Sequence, residues 1–143
     1  MRVALTGITG FVGQNLMPMI VEQCPDAELM TLNIESDLPK AQQMYPWKQC
    51  RHILTTELDQ LEEFNPDVVL HLATVTTERN NTEIIRPMLA ANIEFGVLLL
   101  DALTRCSRLR LVVNTGSFAE YRFGPSSIND ADLYAATKSA VGH

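Results

Sequence analysis

Tyr134 and Lys138 stand four residues apart in Tyr134-Ala135-Ala136-Thr137-Lys138. On a helix that spacing puts a phenol and an ammonium on one face. A phenol titrates near about 10 and is a poor acid–base group at neutral pH. A neighbouring ammonium favours the phenolate and makes proton transfer easier. Ser117, in Asn114-Thr115-Gly116-Ser117, adds a hydroxyl that could hydrogen-bond the same substrate oxygen. Alone, a Tyr and a Lys at this spacing also describe the surface of any helix. The pair gains weight from Ser117 upstream and from a glycine turn at the other end of the chain.

That turn is Thr6-Gly7-Ile8-Thr9-Gly10-Phe11-Val12-Gly13. It follows a short apolar run, Arg2 to Leu5, and opens a helical pattern. Gly7 permits a tight turn, Gly10 lets the backbone approach a pyrophosphate, and Gly13 allows close packing of helix on strand. The helix N-terminus contributes unpaired N–H groups and partial positive charge. Gly7, Gly10, Phe11, Val12 and Gly13 are therefore candidate dinucleotide-binding residues. A carboxylate for a ribose 2′-hydroxyl is expected about 20 residues further on. Asn33 occupies that place, with Glu35 and Asp37 nearby, and reads equally well as a plain strand end. No Arg lies between Arg2 and Arg51, and only Lys40 and Lys48 could neutralise a 2′-phosphate, so the turn favours NAD, with NADP possible.

The elements that must carry these residues alternate. Arg2–Leu5, residues 28–34, His52–Leu54, residues 67–73 and Leu109–Asn114 read as strands, the fourth as a fully buried type. Residues 11–23 read as a helix with an apolar stripe at 12, 16, 19 and 20, and Pro18 inside it predicts a kink or a late start. Residues 35–50 are a loop with room for a short helix. Leu58 to Phe64 is a short helix stopped by Asn65-Pro66, and residues 74–86 form a polar loop. Pro87 should open a long helix to Arg105, at a first turn where its missing N–H is harmless. Asp132 should cap a last helix from Leu133. Strand–helix alternation with apolar strands implies an α/β fold, a doubly wound parallel sheet of the Rossmann type with about five strands. Ligands of such sheets bind at the carboxyl ends of the strands, which is where the turn, Asn33, residues 72–73 and Ser117 fall.

At 143 residues the chain suits one domain, residues 1–143. With 46% apolar and 20% charged residues it is neither disordered nor low-complexity. The net charge of −6 argues against a nucleic-acid partner, which would need a basic stripe. No apolar run reaches the roughly 20 residues that cross a bilayer, so no membrane partner is expected, and a cytoplasmic setting is the default. Cys24, Cys50 and Cys106 are widely spaced, which suits free thiols, and no ligand spacing with His52, His71 or His143 points to a metal. His71 in its apolar strand reads as a core histidine and Met17, Met19 and Met30 as core filler. Trp47 could cap a sheet edge or mark a contact surface. Arg79, Asn80 and Asn81 suit either a nucleotide phosphate or solvent.

Five stretches together resemble the extended short-chain dehydrogenase/reductase family, the NAD-dependent epimerases and dehydratases of nucleotide sugars. They are TGITGFVG at 6–13, DVVLHLAT at 67–74, RPMLAANIEFGVLLLDA at 86–102, VVNTGSFAEY at 112–121 and YAATK at 134–138. The resemblance implies NAD or NADP held by the glycine turn, with His71, Leu72 and Ala73 lining its adenosine side. It implies that Asn92 organises a helix near the site and that Ser117 polarises the reacting oxygen. Tyr134 would be the general acid–base and Lys138 the nicotinamide-ribose ligand and Tyr activator, in a hydride transfer at a sugar carbon. A cofactor-binding module without turnover, or a reductase of a non-sugar carbonyl, are the rival readings. Asn33 departs from the family's usual acid. The 17-residue step from Ser117 to Tyr134 is short for the common sugar epimerases and is similar to the deoxysugar synthase branch that reduces CDP-linked keto-sugars. The family runs well past residue 143, so the chain is expected to be a truncated cofactor domain without its substrate-binding part. The full-length form would be a homodimer, and the open sheet edge and one face of the last helix should expose apolar surface.

Overall fold

A computed structural model describes residues 1–76, 82–118 and 133–142. Five strands, β1 (Arg2–Thr6), β2 (Glu28–Asn33), β3 (Cys50–Leu54), β4 (Val68–His71) and β5 (Leu111–Asn114), form one parallel sheet in the order β3-β2-β1-β4-β5. The chain moves outward from β1 to β2 and β3, then returns to β4 on its other side. That reversal puts the end of β1 at a topological switch point, where doubly wound sheets hold their ligands. The helices are α1 (Phe11–Gln23), α2 (Leu38–Met44), α3 (Leu58–Phe64), α4 (Thr82–Leu89), α5 (Phe95–Leu103) and α6 (Leu133–Gly142), with a π-helical stretch at Ala90–Glu94. The α/β doubly wound fold is the expected one, and α3 has the expected bounds.

The chain divides into two compact units. The first, Met1–Ala73 with Leu100–Asn114, holds the sheet and α1 to α3. Register pairs Val3 with Leu29 and Ala4 with Met30. Side chains alternate across a strand. One face therefore packs Val3, Leu5 and Leu29 against Ile8, Met17, Ala41 and Tyr45, while Ala4, Met30 and Leu32 are equally buried on the other. Burying such a Leu or Met contributes roughly 1.5–3 kcal/mol. Trp47 packs against this core, with its ring 5.1 Å from that of Tyr45. Burial holds the Tyr45 phenol above its ordinary value and pushes the Cys50 thiol up to about 12. At the amino ends of the strands Asp67 accepts the Arg2 N–H at 2.7 Å and a paired contact from Arg108. Those two partners hold its carboxyl below the usual carboxylate range. The opposite edge is β5, where Leu111 and Val113 are exposed rather than buried.

The second unit comprises the described parts of 74–99 and 115–142, carrying α4, the π stretch, most of α5, and α6. Among the described residues no helix is long and apolar enough to cross a membrane.

Several expectations are corrected. α1 starts at Phe11 and runs through Pro18. Pro18 and Gln14 are exposed, so the carbonyl that loses its Pro18 partner can face water. The buried stripe of α1 is Gly13 and Met17, flanked by Ile20 and Val21, and Val12 and Met19 face outward. The stripe was displaced because Gly13, not counted as apolar, is the residue that meets the sheet. Pro87 does not open a helix but lies inside α4, which starts at Thr82 in the expected polar loop. The long helix is interrupted by π turns at Ala90–Glu94 and ends at Leu103. Large apolar residues are exposed on α4 and α5 (Ile85, Leu89, Val97, Leu98, Leu100). On α6 the exposed described residues are the small Ala136 and Ala140. Asp132, Arg79, Asn80 and Asn81 lie outside the described residues.

Candidate functional site

Thr6 ends β1 and is fully buried. Its Oγ1 accepts the backbone N–H groups of Leu72 at 3.1 Å and Ala73 at 3.0 Å. Both lone pairs are thereby used, so the hydroxyl proton must go to His71 Nδ1, 2.8 Å away. That count assigns the ring proton of His71 to Nε2 and makes this histidine part of a strap between β1 and β4. Gly7 follows with φ +69°, a conformation that favours glycine. A Cβ there would meet Ala73 N at 2.6 Å. A Cβ on Gly13 would meet Ile8 Cα at 2.4 Å and Gly7 O at 2.6 Å. Those two glycines are closed in by backbone. Gly10 is different: its φ is −79° and a Cβ would meet only Gly7 O, at 3.3 Å.

Gly10 is the N-cap of α1, and no side chain caps that end. The N–H groups of Phe11, Val12 and Gly13 therefore have no partner within the helix. Phe11 and Val12 are exposed beside it. An open backbone surface over three amides is a cradle that a side chain at Gly10 would fill, and it fits a diphosphate. The turn is braced from α2: Thr9 Oγ1 donates to Asp37 Oδ2 at 2.8 Å, and Lys40 Nζ donates to Thr9 O at 3.2 Å. Tyr45 OH donates to Ile8 O at 3.4 Å.

Asn33 is buried, and its Nδ2 donates to Thr31 O, Thr31 Oγ1 and Ile53 O. Two of those partners are carbonyls, which only accept, so the amide cannot be turned over. The amide nitrogen is occupied within the sheet, and Oδ1 alone could meet a ribose hydroxyl. The carboxylate beside the glycine turn is Asp37, four residues later.

In the second unit Asn92 sits in the π stretch, buried at 5% exposure. Its Oδ1 accepts Thr74 Oγ1 at 3.1 Å and Val75 N at 2.7 Å. Its Nδ2 donates to Val75 O at 2.9 Å and Thr137 Oγ1 at 3.0 Å. Thr137 in turn donates to Tyr134 O at 2.8 Å. Tyr134 is half-buried, Lys138 is buried at 8% exposure, and Ser117 is half-buried in the same unit. The structure thus joins Asn92 to the helix of Tyr134 and Lys138, and joins the glycine turn to Leu72 and Ala73. Thr6 and Thr137 were missed as site residues. Both lie inside the recognised motifs, and a hydroxyl beside a glycine turn or between Tyr134 and Lys138 was the available signal.

The NAD dependent epimerase/dehydratase family model matches residues 3–142. The chain belongs to that family. CDP-abequose synthase of Yersinia pseudotuberculosis is 23% identical over 142 residues, covering 99% of this chain and 48% of that protein. Among solved structures, UDP-glucuronic acid 4-epimerase from Bacillus cereus in complex with NAD superposes with a TM-score of 0.77 at 19% identity, covering 100% of this chain and 50% of that one. Serine dehydrogenase from Escherichia coli gives 0.75 at 16% identity, covering 99% and 71%. The chain spans about half the length of the curated relative it matches.

Proposed function

We propose that this chain binds NAD at the glycine turn and carries the proton-transfer residues of an enzyme that epimerises, dehydrates or reduces a nucleotide-diphosphate sugar. The observation that carries the reading is the difference among the three glycines: Gly7 and Gly13 are enclosed by backbone, while Gly10 opens onto an uncapped helix N-terminus. The complex of the Bacillus cereus epimerase with NAD supports the cofactor, and the sugar-nucleotide names of that enzyme and of the Yersinia synthase support the substrate class.

Bound NAD would exchange a hydride with a sugar carbon. The amides of Phe11, Val12 and Gly13 would donate to the diphosphate, with Gly10 leaving space for it. Asp37, with Oδ1 of Asn33, would meet the adenosine ribose hydroxyls, and a carboxylate there disfavours a 2′-phosphate. Leu72 and Ala73 would lie along the adenosine. Ser117 would hold the reacting oxygen, Tyr134 would remove or return its proton, and Lys138 would hold ribose hydroxyls while adding positive charge. Calorimetric titration of the chain with NAD+ and NADH, then assays of the whole enzyme on a panel of nucleotide sugars, test the proposal. Tyr134→Phe should lower turnover by at least about a hundredfold and leave NADH affinity within about threefold. Turnover equal to wild type in that variant refutes the acid–base role. Binding without turnover on every sugar favours a cofactor module.

A further inference from the structure

A hydroxyl buried to 1% exposure lies one position before Lys138 and three after Tyr134. We infer that Thr137 is a positioning residue, which sets the placement of Tyr134 and Lys138 by locking α6 to Asn92 and, through it, to the segment that follows β4. The inference rests on the proposed roles of Tyr134 and Lys138.

The hydrogen-bond count supports it. Asn92 uses every polar valence it has: two acceptances at Oδ1, from Thr74 and Val75, and two donations from Nδ2, to Val75 and Thr137. Val75 offers both a donor and an acceptor, so only one orientation of the amide satisfies it. With Asn92 fixed, one N–H of Nδ2 must point at α6, and Thr137 Oγ1 is what receives it. The hydroxyl then has its own proton to place, and places it on Tyr134 O at 2.8 Å. That carbonyl is also the helical partner of the Lys138 N–H. Thr137 therefore shares with the Lys138 N–H the one carbonyl that belongs to Tyr134. The π stretch has a part in this. An extra residue per turn changes which side chain a helix presents at a given level, and Ala90–Glu94 is where Asn92 is presented.

A side chain that merely filled volume would be replaced without loss by valine, which has the same shape. The test compares Thr137→Val, Thr137→Ser and Thr137→Cys in the whole chain. Amide hydrogen exchange is read at Val75 and Lys138, and NADH affinity and bound-NADH fluorescence are read alongside. We expect Thr137→Val to speed exchange at both amides by at least tenfold while the amides of β1 are unchanged. NADH affinity should fall at least fivefold with loss of the bound fluorescence signal. Thr137→Ser should return all of these to within about twofold, and Thr137→Cys, a weaker acceptor of similar size, should fall between. A folded Thr137→Val with wild-type exchange and wild-type NADH binding overturns the inference. If valine prevents folding, a Thr137→Cys indistinguishable from wild type overturns it equally. Should the wild-type chain fail to bind NADH, the cofactor reading falls, and the exchange at Val75 and Lys138 still decides whether Thr137 locks α6.

Discussion

Alanine placed in turn at Gly10 and Gly13 separates the two jobs that a glycine turn performs. At Gly13 the new methyl would stand 2.4 Å from Ile8 Cα and 2.6 Å from Gly7 O, both backbone atoms. Carbon pairs settle at about 3.5–4.0 Å, so α1 would have to move off β1. Overpacking of this kind costs typically about 1–3 kcal/mol, and with rigid backbone on both sides the upper figure applies. For a chain of this size that is a fall in Tm of roughly 10 °C. At Gly10 the methyl meets one atom, at 3.3 Å, and the backbone is already in a region open to any residue. A small gain of about 0.4–1 kcal/mol from a stiffer unfolded chain offsets the poorer capping by alanine, so stability should stay within about 1 kcal/mol. The same methyl would occupy the space proposed for the diphosphate and break one hydrogen bond to it. At roughly 1.5–3 kcal/mol for a bond to a charged group, NAD affinity should drop about tenfold to a few hundredfold. Thermal unfolding and calorimetric titration of the two variants check both halves. Wild-type NAD affinity in Gly10→Ala refutes the cradle, and a wild-type Tm in Gly13→Ala refutes the packing argument.

Thr6→Val should destabilise the fold by about 2–3 kcal/mol in urea unfolding, because two part-buried N–H groups, those of Leu72 and Ala73, lose their acceptor. Thr6→Ser keeps the oxygen and should recover most of that loss. Asp67 has its folded-state pKa depressed by the Arg2 N–H and the Arg108 guanidinium. Its contribution is present above the unfolded carboxylate value of about 3.9 and disappears as pH falls through the lower folded value. Stability measured by denaturant titration between about pH 5 and pH 2 should therefore decline less steeply in Asp67→Asn than in wild type. Equal slopes would show that the pair at the strand ends contributes nothing to acid sensitivity.

The sheet was legible because its strands carry apolar residues in runs between glycine and proline signals, and the topology follows from right-handed crossovers. Periodicity was less informative on α1. It scored Val12 and Met19 as core because they are apolar, yet the helix turns its small Gly13 to the sheet, and with it Met17. Close approach there selects for absence of volume, which a hydrophobicity pattern does not record. Pro87 misled for a related reason. A proline marks a missing N–H, and on an exposed helix face that absence is tolerated in the interior as well as at the first turn. Asn33 shows the limit of counting residues from a motif. The count located the end of β2, but the side chain there turns its amide into the sheet, and the carboxylate bonded to the glycine turn comes from Asp37 on the other side of a loop.

Thr6 in the first unit and Asn92 in the second illustrate how buried polar groups, rather than apolar packing, define the backbone around them. Each has its hydrogen-bonding capacity filled, Thr6 by two N–H groups and a histidine, Asn92 by two acceptances and two donations. An apolar side chain in either place would hold its neighbours at a distance set only by contact, free to slide. A saturated polar group fixes direction as well, since any shift leaves a buried donor or acceptor without a partner. Loops after strands have no ladder to define their path. At Leu72-Ala73 the definition comes from a hydroxyl at the end of the neighbouring strand, and at Thr74-Val75 from an amide on a π turn. Hence substitutions at Thr6 should disturb the path of Leu72-Ala73, and substitutions at Asn92 that of Thr74-Val75.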